Sequence, residues 1–152
     1  MTPRPLPTTV SPHEATEQQN TLDSPIARKR TLTFSIDKPF PKDAMAFRIN
    51  GKLFSETRTD QVVRLDTTEE WLIRNTSPED HPFHIHTNDF LVTAIDGRLV
   101  QPDGFQDVVR VKRQGSVTIR MRFREFAGKA VYHCHILFHE DHGMMGIIEF
   151  KR

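Results

Sequence analysis

One cysteine, one tryptophan and one tyrosine occur among the 152 residues, and neither sign of charge dominates, with 21 Lys and Arg against 20 Asp and Glu. The lone cysteine excludes an intrachain disulfide. A formal charge of +1 creates no field that would hold a nucleic acid or a membrane surface, so neither is expected as a partner. No run approaches the roughly 18 apolar residues of a membrane helix. The opening stretch MTPRPLPTTVSPHEATEQQN also lacks the apolar core, roughly 7 to 15 residues long, of a secretory leader, so no signal peptide is expected.

Aromatic residues are missing from the start of the chain. All 11 Phe, Trp71 and Tyr132 follow residue 33, whereas five of the 10 Pro fall in the first 30 residues. Such a segment cannot bury enough apolar surface to order itself, which predicts a disordered Pro-rich tail over residues 1–30. The basic run Arg28-Lys29-Arg30 at its end reads as a solvated linker edge. Residues 31–152 then form one domain, long enough to bury a core of its own.

That domain reads as strands. Leu32, Phe34 and Ile36 alternate with polar residues, as do Val117, Ile119, Met121 and Phe123, the period-two pattern of half-buried strands. Further runs occur at 61–65, 69–75, 89–95, 107–111, 129–135 and 145–151, and turn signals such as Asn50-Gly51 and Asp96-Gly97 separate several of them. Many short strands with this punctuation predict an all-β Greek-key sandwich or barrel. No long amphipathic helix is expected.

The cysteine sits in His133-Cys134-His135, followed by His139 and Met144. Alone it would read as a small buried hydrophobe. Thiolate, imidazole and thioether together form the soft ligand set that selects copper, and two histidines, one cysteine and a weak axial methionine describe a blue-copper site. Cys134, His139 and Met144 supply all but one histidine, and His81-Pro82-Phe83-His84-Ile85-His86 offers three. Side chains of a strand alternate between faces, so His84 and His86 share one face and His81 takes the other. The same parity separates Cys134 from His133 and His135. Two sites follow: an inner one of His81, Cys134, His139 and Met144, and an outer one of His84, His86, His133 and His135. A His-x-His pair by itself would also accept zinc.

HPFHIH paired with HCHILFHEDHGMM resembles the two copper signatures in the last cupredoxin domain of the multicopper oxidases, the family of laccases, cuprous oxidases and bilirubin oxidases. The likeness runs from about Thr31 to the end and includes Ile49-Asn50-Gly51-Lys52 and Asp107-Val108-Val109. It implies a cupredoxin-like fold and copper as cofactor. It also implies that His81, Cys134, His139 and Met144 bind the type 1 copper that takes an electron from the donor. His84 would be a type 2 ligand, and His86, His133 and His135 would be type 3 ligands of the trinuclear cluster where oxygen is reduced. Glu140 matches a position linked to proton delivery, with an exposed loop carboxylate as the other reading. Phe138 stands where many bacterial relatives carry a carboxylate. His142 reads either as a solvent-exposed side chain or as a group that tunes the metal or meets the donor.

The family's complete cluster draws on two further His-x-His motifs in the first cupredoxin domain, and this chain has none beyond those named. Reduction of dioxygen to water takes four electrons, whereas one type 1 copper holds one. The chain alone is therefore not expected to be an oxidase. Further cupredoxin domains or a homo-oligomer would complete the cluster, and the alternative is a stand-alone blue-copper electron carrier. Expected partners are a phenol, aromatic amine or cuprous ion as electron donor, and O2 once the cluster is whole. The family implies a periplasmic or secreted location, with which the missing leader conflicts.

Overall fold

The computed structural model describes residues 11–37 and 45–152. Its elements in chain order are α1 (Pro12–Asp23), β1 (Ile26–Asp37), β2 (Ala46–Ile49), β3 (Gln61–Arg64), β4 (Thr67–Asn75), β5 (His81–Ile85) and β6 (Leu91–Ile95). There follow β7 (Arg98–Leu99), β8 (Val108–Val111), β9 (Ser116–Phe123), β10 (Gly128–Cys134), α2 (Leu137–Asp141) and β11 (Met145–Lys151). Every expected run holds a strand.

The strands form two sheets, one of six strands in the order β2-β1-β4-β9-β6-β7 and one of five in the order β3-β11-β10-β5-β8. Neighbours are antiparallel except β1 with β4 and β3 with β11. The result is an all-β cupredoxin-like Greek-key sandwich. Its core follows the period-two pattern: alternate residues of β9, Val117, Ile119, Met121 and Phe123, are buried, and Leu32, Phe34, Trp71, Ile73, Phe83 and Ile85 meet them from the other strands. Each such side chain stabilises the fold by about 1.5–3 kcal/mol relative to exposure. Asn50-Gly51 closes a two-residue turn in which both residues have positive φ, 52° and 73°, as the twist of a tight hairpin demands.

The disordered tail expected over residues 1–30 is not what the structure shows from Pro12 onward, and residues 1–10 lie outside the described residues. Ser11 caps α1 by accepting the Glu14 N–H at 3.2 Å, and Pro12 occupies the first turn, where its missing donor costs nothing. α1 is polar and docks through charge: Arg120 Nη1 donates to the Leu22 carbonyl at 2.6 Å, and Arg124 pairs with Glu17. Within the basic run, Arg28 and Lys29 are exposed as a solvated edge would be, but Arg30 is not. Arg30, at 9% side-chain exposure, grips Glu69 with two bonds of 2.6 and 2.9 Å and reaches Gln61 and the Val62 carbonyl on β3. It thereby joins one sheet to the other. Lys29 pairs with Glu70 at 2.9 Å.

Candidate metal centre

Strand parity holds through Pro82. His81, Phe83 and Ile85 point into the core, while His84 is half-buried and His86 exposed on the opposite face. β10 lies antiparallel to β5 with His133 opposite His84 and Cys134 opposite Phe83, so the two histidine signatures meet across one pair of strands. The third contributor is α2. Consecutive helical residues point about 100° apart, so His139 turns to the core side and Glu140 to the other.

After α2 the chain reverses at Gly143, φ 106°, where any Cβ would come within 2.7 Å of the Leu53 side chain. The reversal brings Met144 back against β10. The Met144 N–H donates to the His139 carbonyl, and the Cys134 N–H donates to the Met144 carbonyl, each at 3.0 Å. Cys134, His139 and Met144 are therefore bound to one another through the main chain.

On the core side the Nδ1 atoms of His81 and His139 are 3.1 Å apart, and Cys134 Sγ lies 3.5 Å from each. His81, Cys134 and Met144 are fully buried, and His139 is 6% exposed. Phe47 stacks on His139 at 4.2 Å, and Phe34 meets His81 edge-on at 5.6 Å. Burial pushes the Cys134 thiol up to about 11 and, with the neighbouring His139 charge, pushes His81 down to about 4. Burial lowers His139 as well. Protons alone would leave a neutral thiol and neutral imidazoles in an apolar pocket.

On the other side four rings adjoin. His86 Nε2 faces His133 Nε2 at 3.1 Å, and His84 stacks on His135 with ring centres 5.1 Å apart. His84 Nδ1 donates to the Asp107 carbonyl at 2.8 Å. His133 Nδ1 lies 3.0 Å from the Cys134 carbonyl and 3.2 Å from Glu140 Oε2. Glu140 thus approaches the outer group, as a partner to the histidine nitrogen that faces away from His86. Burial lowers the pKa of both His86 and His133.

The structure gathers the predicted residues into these two groups. Phe138, at 53% exposure, turns away from the outer rings and contacts Phe47 and His142. His142 is exposed, with its Nδ1 2.7 Å from the Phe138 carbonyl. Sequence reasoning missed Ser77 and Glu79, which touch the inner histidines, because a polar segment before a strand looks like any turn.

The donor set fits copper. Two imidazole nitrogens and one thiol converge within 3.5 Å, with a thioether residue bonded to two of the three through its backbone.

Residues 14–151 match the family model described as "Multicopper oxidase". A multicopper oxidase of Staphylococcus aureus is 34% identical over 149 residues, which cover 90% of this chain and 33% of that protein. A bilirubin oxidase of Albifimbria verrucaria is 35% identical over 115 residues, 70% of this chain and 20% of that one. A solved multicopper oxidase of Campylobacter jejuni superimposes with a TM-score of 0.73 at 32% identity, covering 85% of this chain and 31% of its own. The chain thus spans about a third or less of the length of these relatives. Matched almost end to end, with a cupredoxin-like fold and a donor set suited to copper, it belongs to the multicopper oxidase family.

Proposed function

We propose that this chain is the copper-bearing domain of a multicopper oxidase, equivalent to the last cupredoxin domain of its relatives. His81, Cys134, His139 and Met144 hold the type 1 copper. His84 is a type 2 ligand, and His86, His133 and His135 are type 3 ligands of a trinuclear site of which this chain supplies half. Copper bound at the two sites would accept single electrons from a donor and deliver them to dioxygen.

One observation carries this reading: the two clusters lie on opposite faces of β10 and are joined through Cys134, whose chain neighbours His133 and His135 both belong to the outer group. The chain's residues have separate tasks. His139 stands at the rim of the core, its Nε2 side toward Glu79, which is 50% exposed, and a donor approaches there. Cys134 connects covalently to His133 and His135, giving electrons a short bonded path. Glu140 sits beside His133 within reach of the outer face, where it can pass protons.

Methionine as axial ligand goes with donors of modest potential in the family, so phenols, aromatic amines or cuprous ion are the expected substrates. Further cupredoxin domains or other copies of the chain supply the missing histidines. Among the described residues no helix is long and apolar enough to cross a membrane, and the periplasm or cell exterior is the proposed location.

Copper counting with oxygen electrode measurements tests the proposal. More than one copper per chain with donor-dependent oxygen uptake supports it. One copper per chain and no uptake, in every assembled state, would instead make the protein a blue-copper electron carrier.

A further inference from the structure

An imidazole can coordinate through either nitrogen, and the partner held by the other nitrogen decides which. Both inner histidines turn Nδ1 toward Cys134. Each also has an oxygen partner on Nε2, and the two partners come from one turn. Ser77 Oγ is 2.6 Å from His81 Nε2, and Glu79 Oε2 is 3.4 Å from His139 Nε2.

We infer that the segment Asn75–Glu79 is a positioning device for the inner site. In it Ser77 and Glu79 fix the two imidazoles as Nδ1 ligands, and Asn75 fixes Ser77. The inference rests on the reading of the inner cluster as a copper site.

Proton counting around Ser77 supports the assignment. Its hydroxyl carries one hydrogen, yet Oγ lies 2.8 Å from Asn75 Oδ1 and 3.0 Å from the Glu79 carbonyl, both acceptors. If the hydroxyl donated to His81 Nε2, both of these short contacts would lack a proton. When Nε2–H donates to Oγ, the hydroxyl hydrogen remains for the two oxygens. His81 then carries its proton on Nε2 and presents a bare Nδ1 lone pair to the cluster.

The orientation of Asn75 is fixed by the same logic. Its Nδ2 faces the carbonyls of Glu79, Val111 and Lys112 at 2.7, 3.2 and 3.1 Å, and its Oδ1 accepts the Ser77 N–H at 2.9 Å. Asn75 and Ser77 are each 2% exposed, so no solvent competes for these bonds. Glu79 gives His139 a looser version of what Ser77 gives His81: its Oε2, 3.4 Å away, is an oxygen acceptor on the Nε2 side and favours the proton there. With both Nδ1 atoms unprotonated, two lone pairs face each other at 3.1 Å beside the sulfur. That arrangement is repulsive unless a cation lies between them.

The test has two parts, both on the full chain. In the metal-free protein, long-range proton–nitrogen correlation spectra should show His81 and His139 as Nε2–H tautomers. Ser77→Ala should convert His81 to a mixture, and Ser77→Thr should restore it. In the copper-loaded protein, Ser77→Ala should weaken Cu(II) binding about 10- to 100-fold, the usual cost of losing such a partner. A tenfold loss confined to Cu(II) raises the one-electron potential by about 59 mV, so the copper potential should rise, with recovery in Ser77→Thr.

Glu79→Gln, at the solvent edge where folding is not at stake, should raise the potential by a smaller amount. Wild-type tautomers, affinity and potential in folded Ser77→Ala and Glu79→Gln would overturn the inference. Equal losses in Ser77→Ala and Ser77→Thr would overturn it too, by showing a packing role. A wild-type protein that takes up copper without an intense visible band would instead refute the copper reading itself, which separates the two failures.

Discussion

On the core side of β10 both imidazoles, His81 and His139, have an oxygen of this chain beside the nitrogen that faces away from Cys134, whereas on the opposite side His86 and His135 stand exposed. The core-side group is enclosed by Phe34 and Phe47 and framed by main-chain bonds. The other group is a half-open cup of four rings. A site that works within one domain can be preorganised by that domain, while a site shared between domains must leave its ligands accessible until the second half arrives. On the proposed reading, enclosure marks the cluster that this chain completes by itself and accessibility the one it shares.

The strongest test of that contrast is Cys134→Ser, which should abolish the intense visible absorption of the copper thiolate in a copper-loaded sample. Next, His133→Ala combined with His135→Ala should keep that colour and eliminate oxygen uptake in the assembled oxidase. Bleaching by the double change would show that the two faces are not independent.

Acid should also distinguish the enclosed group. In the metal-free protein His81 titrates near 4 when folded, against about 6.5 when unfolded. The unfolded chain therefore binds more protons between these values, and stability falls as pH drops from 6.5 to 4. The loss from His81 is about 3 kcal/mol, with His86, His133 and His139 acting in the same direction. Urea unfolding of the metal-free chain across that range measures it, and a flat profile would contradict the enclosure.

The smallest effect is expected at the open side. Thr87, directly after His86, holds φ at 66°, a left-handed conformation unfavourable for a β-branched residue. Thr87→Gly should relieve roughly 1 kcal/mol and raise the melting temperature by about 3 °C. No gain would mean that Thr87 makes compensating contacts.

The strands and both clusters were legible because they rest on spacing. Alternation at Val117–Phe123 and the parity of His81 against His84 and His86 are local rules that hold whatever packs nearby. The N-terminal segment was not legible, because its order is borrowed. α1 has Thr21 as its buried residue and is held by Arg120 and Arg124 of later segments, and Arg30 owes its burial to Glu69, 39 residues on. Composition counts the charges of such a segment but not their partners. Ser77 and Glu79 escaped for the same reason, since their roles appear only once β5 and α2 place the imidazoles beside them.

The bonds from Cys134 to Met144 and from Met144 to His139 run entirely through peptide groups. The side chain of Met144 packs in the core, but the bonds that set the path of the loop are made by its backbone, so a residue of similar volume at position 144 leaves them in place. On the proposed reading of Met144 as the axial ligand, exchanging it for leucine would retune the potential of the site while the same backbone bonds hold the scaffold.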